Sequence, residues 1–301
     1  MFWNRKKKTK EKPKPKPKQS APIPKKPHIT PSPTPPPKFD KPKASVPPVA
    51  QKVSREPPRA PPTAHLEPER EFMRIFKRLT YRHRAWDIWK DFVVMFACAL
   101  SNPVDKAHYN EREELYMKTI KKYIKQEQNM FPDLVAQTVM ALELNPEQDF
   151  LGKIYMDLNL GNERGGQFFT PYCVCDMMVK ISLGDVVSHV EEEGYITVND
   201  PCCGAGATLI AGIHEAKRQL EKVKLNFQNH ILVVGQEIDF TTALMCYIQL
   251  SLLGVAGYIK IGNTLTDPMT SSDTLENYWF TPMYFFDVWS TRRLLRGRNL
   301  L

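Results

Sequence analysis

The sequence predicts a mixed α/β protein, with a mostly parallel, doubly wound sheet preceded by a helical region. Three observations predict this. Residues 1–66 are dominated by Lys, Pro, Ser, Thr and Ala, with little to build a core. Residues 67–145 carry apolar side chains at helical spacing. From about residue 146, short apolar runs alternate with longer helical patterns, the order of a parallel sheet with crossover helices. A length of 301 residues allows one or two domains plus extensions, and 42% apolar residues suffice for a core. The chain therefore divides into a tail (1–66), a helical domain (67–145) and an α/β domain (146–301).

Charge follows the same division. The tail holds 14 Lys and 3 Arg against 3 acids, a net of +14, whereas the whole chain carries +9. The remaining residues are thus mildly acidic. Eighteen of the 26 prolines also fall before residue 67. Such a segment buries too little apolar surface to offset chain entropy, so disorder is expected, with extended polyproline geometry from Lys12 to Lys18. It reads either as a salt-sensitive hook for nucleic acid or an acidic partner, or as a solubilising tether.

Phe72, Ile75, Phe76 and Leu79 predict a first helix from near Glu67. Trp86, Trp89, Phe92, Val93 and Phe96 predict a second, ended by Asn102-Pro103. Further helices fit Glu111 to Lys125 and Pro132 to Leu144. The aromatic stripes read as core. In the α/β part, strands fit Tyr195–Asn199, Ile231–Gln236, Tyr258–Ile261 and Tyr284–Trp289. Helices fit Tyr172–Leu183, Ala207–Lys222 and Phe240–Leu253.

The six cysteines lack paired Cys-x-x-Cys spacing, which argues against a zinc site, and reduced thiols in a cytoplasmic protein are expected. The basic start has no apolar stretch after it, and the longest apolar run, Phe92 to Leu100, is too short to cross a bilayer. No metal and no membrane are expected.

Four short motifs carry the chemistry. In Asn199-Asp200-Pro201-Cys202-Cys203-Gly204-Ala205-Gly206, a strand ends in an acid and a small-residue loop opens a helix, so a ligand can approach backbone. Gly235-Gln236-Glu237 ends the next strand, where a carboxylate can accept ribose hydroxyls, or else stands exposed or caps a helix. Gly262-Asn263-Thr264-Leu265 follows the third strand and reads otherwise as a turn. Gly166-Gln167-Phe168-Phe169-Thr170-Pro171 precedes the first strand. Thr170 there is expected to cap a helix with Pro171 at its first position.

Taken in order over about residues 147–265, these motifs resemble the adenine-specific DNA methylase family, typified by the methylation subunit of type I restriction-modification systems. The resemblance implies a Rossmann-like class I methyltransferase sheet, DNA as partner and S-adenosylmethionine as cofactor. It implies that Gln167, Phe168, Phe169, Thr170 and Pro171 pack on the cofactor. Asp200, Gly204, Ala205 and Gly206 would hold its methionine end, Glu237 its ribose, and Asn263 would lie near its adenine.

The sequence departs from the family at one motif. Family members carry Asn-Pro-Pro-Phe or a variant after the fourth strand, to hold and stack a flipped adenine. Here Tyr284–Trp289, the expected fourth strand, leads into Ser290-Thr291-Arg292-Arg293, and no Asn-Pro-Pro or Asp-Pro-Pro occurs. Thr281-Pro282-Met283-Tyr284 echoes the motif but precedes that strand. The chain runs only about twelve residues further, against about seven strands in a full sheet. The fourth strand is therefore expected at an exposed edge, covered by 292–301 or by a second subunit. Arg292 and Arg293 are expected to meet DNA phosphates or a partner's carboxylates, and Trp289 or Tyr284 is the alternative stacking ring. Two functions follow: an adenine methyltransferase, alone or completed by a partner, or a non-catalytic or truncated cofactor-binding module.

Overall fold

An apolar stripe needs a surface to cover, and the first helices supply one another's. In the computed structural model, which describes residues 67–161 and 168–296, α1 (Glu67–Leu79) buries Phe72, Ile75, Phe76 and Leu79. They meet Trp89 and Phe92 of α2 (Ala85–Ser101) and Phe150 of α6 (Phe150–Asp157). Phe72 stands edge-on to Phe92 at 5.5 Å and to Phe150 at 5.9 Å, a favoured aromatic geometry. Between them run α3 (Tyr109–Ile120), the one-turn α4 (Lys125–Gln128) and α5 (Met130–Leu144). The 1–66 tail, Gln167 and residues 297–301 lie outside the described residues.

The second half alternates α7 (Tyr172–Ser182), α8 (Val186–Glu193), β1 (Ile196–Asp200), α9 (Ala207–Lys222), β2 (Ile231–Glu237), α10 (Phe240–Leu252) and β3 (Ala256–Ile261). β1, β2 and β3 pair in parallel, with Asp200 opposite Gly235 and Glu237 opposite Ile261. The central strand β2 is buried throughout, as a strand covered on both sides must be. One hydrophobic core joins the helices of the first half to α9, α10 and the sheet.

Two expectations are corrected here. The strand order is β1-β2-β3-β4, without a reversal. Sequential right-handed crossovers place α9 and α10 on the same face, so the described sheet is not doubly wound. The fourth strand is not Tyr284–Trp289. It is β4 (Tyr278–Phe280), three buried residues paired antiparallel with β3, Tyr258 lying opposite Phe280. Pro282–Phe285 forms a 3-10 turn and α11 (Asp287–Arg296) follows. The physical reason is spacing. Phe285, Val288 and Trp289 recur at helical intervals, Pro282 favours a helical start, and Asp287 takes φ +49°, a break in any strand.

β4 does lie at an edge, and α3 reaches it from the helical half. Buried Arg112 donates to the Tyr278 carbonyl at 2.7 Å and stacks 3.9 Å over the Trp279 ring. Arg292 is engaged elsewhere: it donates to the carbonyls of Asn229 and Gly194 and lies 4.6 Å over Trp289. Arg293 lies over Phe285 and Tyr284. Both arginines thus brace α11 instead of standing free for phosphates. They help close a second, smaller core of Leu232, Tyr258, Phe280, Tyr284 and Trp289 on the other face of the sheet. No helix among the described residues is long and apolar enough to cross a membrane.

Candidate functional site

β1 ends at Asp200, whose carboxylate accepts from the Cys202 amide at 3.0 Å and so starts the turn. The loop then runs through Gly204 (φ +56°) to Gly206 (φ +101°), which precedes α9. Gly206 is needed twice. Its backbone is left-handed, and a Cβ there would stand 2.8 Å from Cys246 Sγ on α10. Behind the loop, buried Gln249 of α10 donates to the Ala205 carbonyl at 2.9 Å and to Asp149 at 2.8 Å. Burial raises the Asp149 carboxyl above its ordinary value, while the bonds from Gln249 and Gly152 act against this. Burial, with Cys203 beside it, likewise pushes the Cys246 thiol up, leaving it an inert core group.

Glu237, at the end of β2, is buried and reaches back to this loop. One carboxylate oxygen accepts from the Gly204 amide at 3.0 Å and the other from the Asp239 amide at 3.0 Å. It neither stands exposed nor caps a helix. Asp239 is the cap of α10, accepting from Thr242 at 2.9 Å. After β3, Asn263 accepts from the Leu265 amide at 2.9 Å, and Thr264 donates to the Pro201 carbonyl, tying the third loop to the first. Lys260 of β3, itself buried, fixes the far side of that third loop through Asp267 and Asp273.

Phe169 closes the cluster. A Cβ on Gly204 would lie 3.6 Å from its ring, which packs 5.1 Å from Tyr155. Phe168 is exposed. Thr170 does not cap α7, since Pro171 itself holds the N-cap position without a side-chain bond, and the helix begins at Tyr172. Thus Phe169, Asp200 to Gly206, Glu237 and Asn263 converge at the carboxyl ends of the parallel strands. Phe168, Ile238 and Leu265, in the segments forming this end, are 67%, 65% and 92% exposed. A cavity of about 440 Å³ opens beside them on the second face, lined by Asn199, Pro201, Gln236 and Thr264 among others. No group of His, Cys, Asp and Glu among the described residues could hold a metal ion.

Thr281-Pro282-Met283-Tyr284 is corrected in position. It follows β4 instead of preceding a strand. Because β4 is antiparallel, this places it at the amino ends of β1–β3, with the Thr281 amide bonded to Gly257 at the start of β3. Tyr284 and Trp289 are both buried there, Tyr284 stacked on Phe280 and Trp289 donating to the Gln228 carbonyl at 2.6 Å. Neither ring is free to stack on a base.

An acid-ended strand, a glycine loop opening a helix and a second acid bonded to that loop thus meet at one end of the sheet of an α/β domain. The comparisons narrow this. The model of the N-6 DNA methylase family matches residues 147–298, and the chain belongs to that family. No curated protein matches it. A solved structure, the type I restriction-modification system methyltransferase subunit from Streptococcus thermophilus, is similar at 21% identity and a TM-score of 0.34. The similarity covers 56% of this chain and 35% of that one, so the chain spans about a third of that subunit's length.

Proposed function

We propose that this N-6 DNA methylase family member binds S-adenosylmethionine at the carboxyl ends of β1–β3 and acts on DNA. The observation that carries the reading is the bond from the Gly204 amide to buried Glu237, which joins the glycine loop to the acid of the next strand. The residues fit the cofactor. Each Glu237 oxygen has one protein donor, and a carboxylate has room for about four, so both can also accept ribose hydroxyls. Gly204 and Gly206 offer backbone without side chains to the methionine end. Exposed Ile238, Leu265 and Phe168 offer apolar surface to an adenine ring. The bound cofactor would supply an electrophilic methyl group. Asp200, Glu237, Asn263 and the segment from Gln167 to Pro171 would bind and orient it.

Transfer to an adenine amine also needs acceptors for that amine and a ring for the base. This chain's nearest equivalent, Thr281 to Tyr284, lies at the opposite end of the strands, with Thr281 and Tyr284 buried. We infer that residues 1–301 act as a cofactor-binding module and that target-amine recognition comes from outside them, as on a second subunit. A complete methyltransferase is the competing reading.

Calorimetry with S-adenosylmethionine and methyl-label incorporation into mixed-sequence DNA separate the two. The expected results are binding by the wild type, loss of about 1–3 kcal/mol in Glu237→Ala, and no incorporation. No binding, or equal binding by the variant, would overturn the site. Incorporation that is lost in Glu237→Ala would overturn the dependence on a second subunit.

A further inference from the structure

The folded part of the chain is acidic on average, but its acid and base are not mixed evenly. Between Arg70 and Arg84 stand six bases, Arg70, Arg74, Lys77, Arg78, Arg82 and Arg84, against one acid, Glu71. All six bases are exposed. On α1 the bases occupy the face opposite Phe72, Ile75, Phe76 and Leu79, which are locked in the core. Glu71 neutralises Arg74, and Glu127 faces Arg82 at 3.4 Å. Arg70, Lys77, Arg78 and Arg84 form no salt bridge among the described residues, whereas Lys153, Lys180 and Arg218 pair with Glu69, Asp176 and Glu147.

A solvated helix face does not account for the arrangement. Cations at a helix C-terminus complement the dipole, which explains Lys77 and Arg78. Arg70, in the first turn, is placed against it. Tyr81, between Arg78 and Arg82, is 81% exposed, with its ring left in water.

We propose that the outward face of α1 and the turn after it, from Arg70 to Arg84, is a nucleic-acid surface. Its bases take backbone phosphates and Tyr81 stacks on an unpaired base. The proposal deepens the reading of the chain as a DNA-acting protein and rests on it. The dimensions agree: the eight helical steps from Arg70 to Arg78 span about 12 Å, the rise of three to four nucleotides of one strand. Five of the six bases are arginines, whose forked donors match phosphate oxygens. An anionic membrane is a poorer occupant, because the apolar face such a helix would insert is already buried.

The test uses the full chain and fluorescence anisotropy with duplex and single-stranded DNA across a salt series. In Arg70→Gln/Lys77→Gln/Arg78→Gln/Arg84→Gln the slope of log affinity against log salt should fall by about 3–4 for duplex DNA and about 3 for a single strand. Tyr81→Ala should weaken single-strand binding about tenfold and leave the slope unchanged. An unchanged slope in the quadruple variant, with its melting midpoint retained, would overturn the surface. So would tighter binding to polyglutamate or to anionic vesicles than to DNA. Unaltered single-strand affinity in Tyr81→Ala would overturn the stacking role. Calorimetry with S-adenosylmethionine on the same quadruple variant keeps the two readings apart: the cofactor site should be untouched, and its failure there would count against that site alone.

Discussion

The two ends of the parallel strands carry similar letters and different physics. At the carboxyl ends, Asp200 to Gly206, Glu237 and Asn263 are held by bonds between side chains and backbone, while Phe168, Ile238 and Leu265 stay exposed. At the amino ends, Thr281-Pro282-Met283-Tyr284 looks like a substrate motif, yet Thr281, Tyr284 and Trp289 are sealed in a core. The open end commits its polar side chains to bonds with loop backbone and leaves apolar ones uncovered. The closed end buries Thr281, Tyr284 and Trp289. A motif's letters point to a ligand only where the fold leaves part of that surface open.

The largest effect should come from breaking the closed end. Trp289→Ala removes a fully buried ring and its bond to the Gln228 carbonyl, and should cost about 3–5 kcal/mol in urea unfolding. At the open end, Ile238→Ala removes a comparably apolar but exposed side chain, and should change stability by no more than about 0.5 kcal/mol while weakening cofactor binding. Equal losses in the two variants would erase the distinction between the ends.

The glycine loop gives an intermediate effect. Gly206→Ala would force a side chain onto φ +101° and against Cys246, including its backbone Cα at 3.5 Å. A destabilisation of about 1–3 kcal/mol is expected, with cofactor affinity falling more than in any surface variant. Gly184→Ala is the control: a Cβ there meets nothing within 4 Å, so stability should hold or rise slightly. Thermal melts and calorimetry on the pair would sharpen the comparison to a single loop.

Much of this was legible in the sequence. α9 runs from Ala207 to Lys222 as its spacing implies, and β1, β2 and β3 lie within a residue or two of their apolar runs. The stretch from Tyr284 to Trp289 misleads because a dense aromatic run fits period 2 and period 3.6 equally, and only Pro282 hints at the turn. The helices α6 and α8 were missed although each begins with an aspartate cap, Asp149 and Asp185, and Gly194 ends the second. At the site, residue types and order were legible, but not which acid does what. Asp239 takes the capping task, and that frees Glu237 to bind the loop. The basic face of α1 was averaged away, because an acidic total for residues 67–301 hides a local excess that only the helix assembles on one side.

The smallest effect concerns the segment that joins the two ends. The stretch after β3 leaves the open end at Asn263 and returns as β4 at the closed end, held by Lys260, Asp267 and Asp273. The Lys260 ammonium at 2.7 Å, with hydroxyls of Thr270 and Tyr278, holds the Asp273 carboxyl well below the usual carboxylate range. A depressed carboxylate contributes stability above its unfolded pKa, about 3.9, and loses it as pH falls toward the folded value. Stability should therefore decline on acidification below about pH 4, and decline less in Asp273→Asn, which starts less stable at pH 6. Hydrogen exchange would show where the loosening falls. The amides of Leu265 and Asp267, bonded within the third loop, should lose protection in acid before the Tyr258–Phe280 pairing does. Simultaneous loss would mean that the strap and the closed core open as one unit, and the contrast between the two ends would then stop short of this loop.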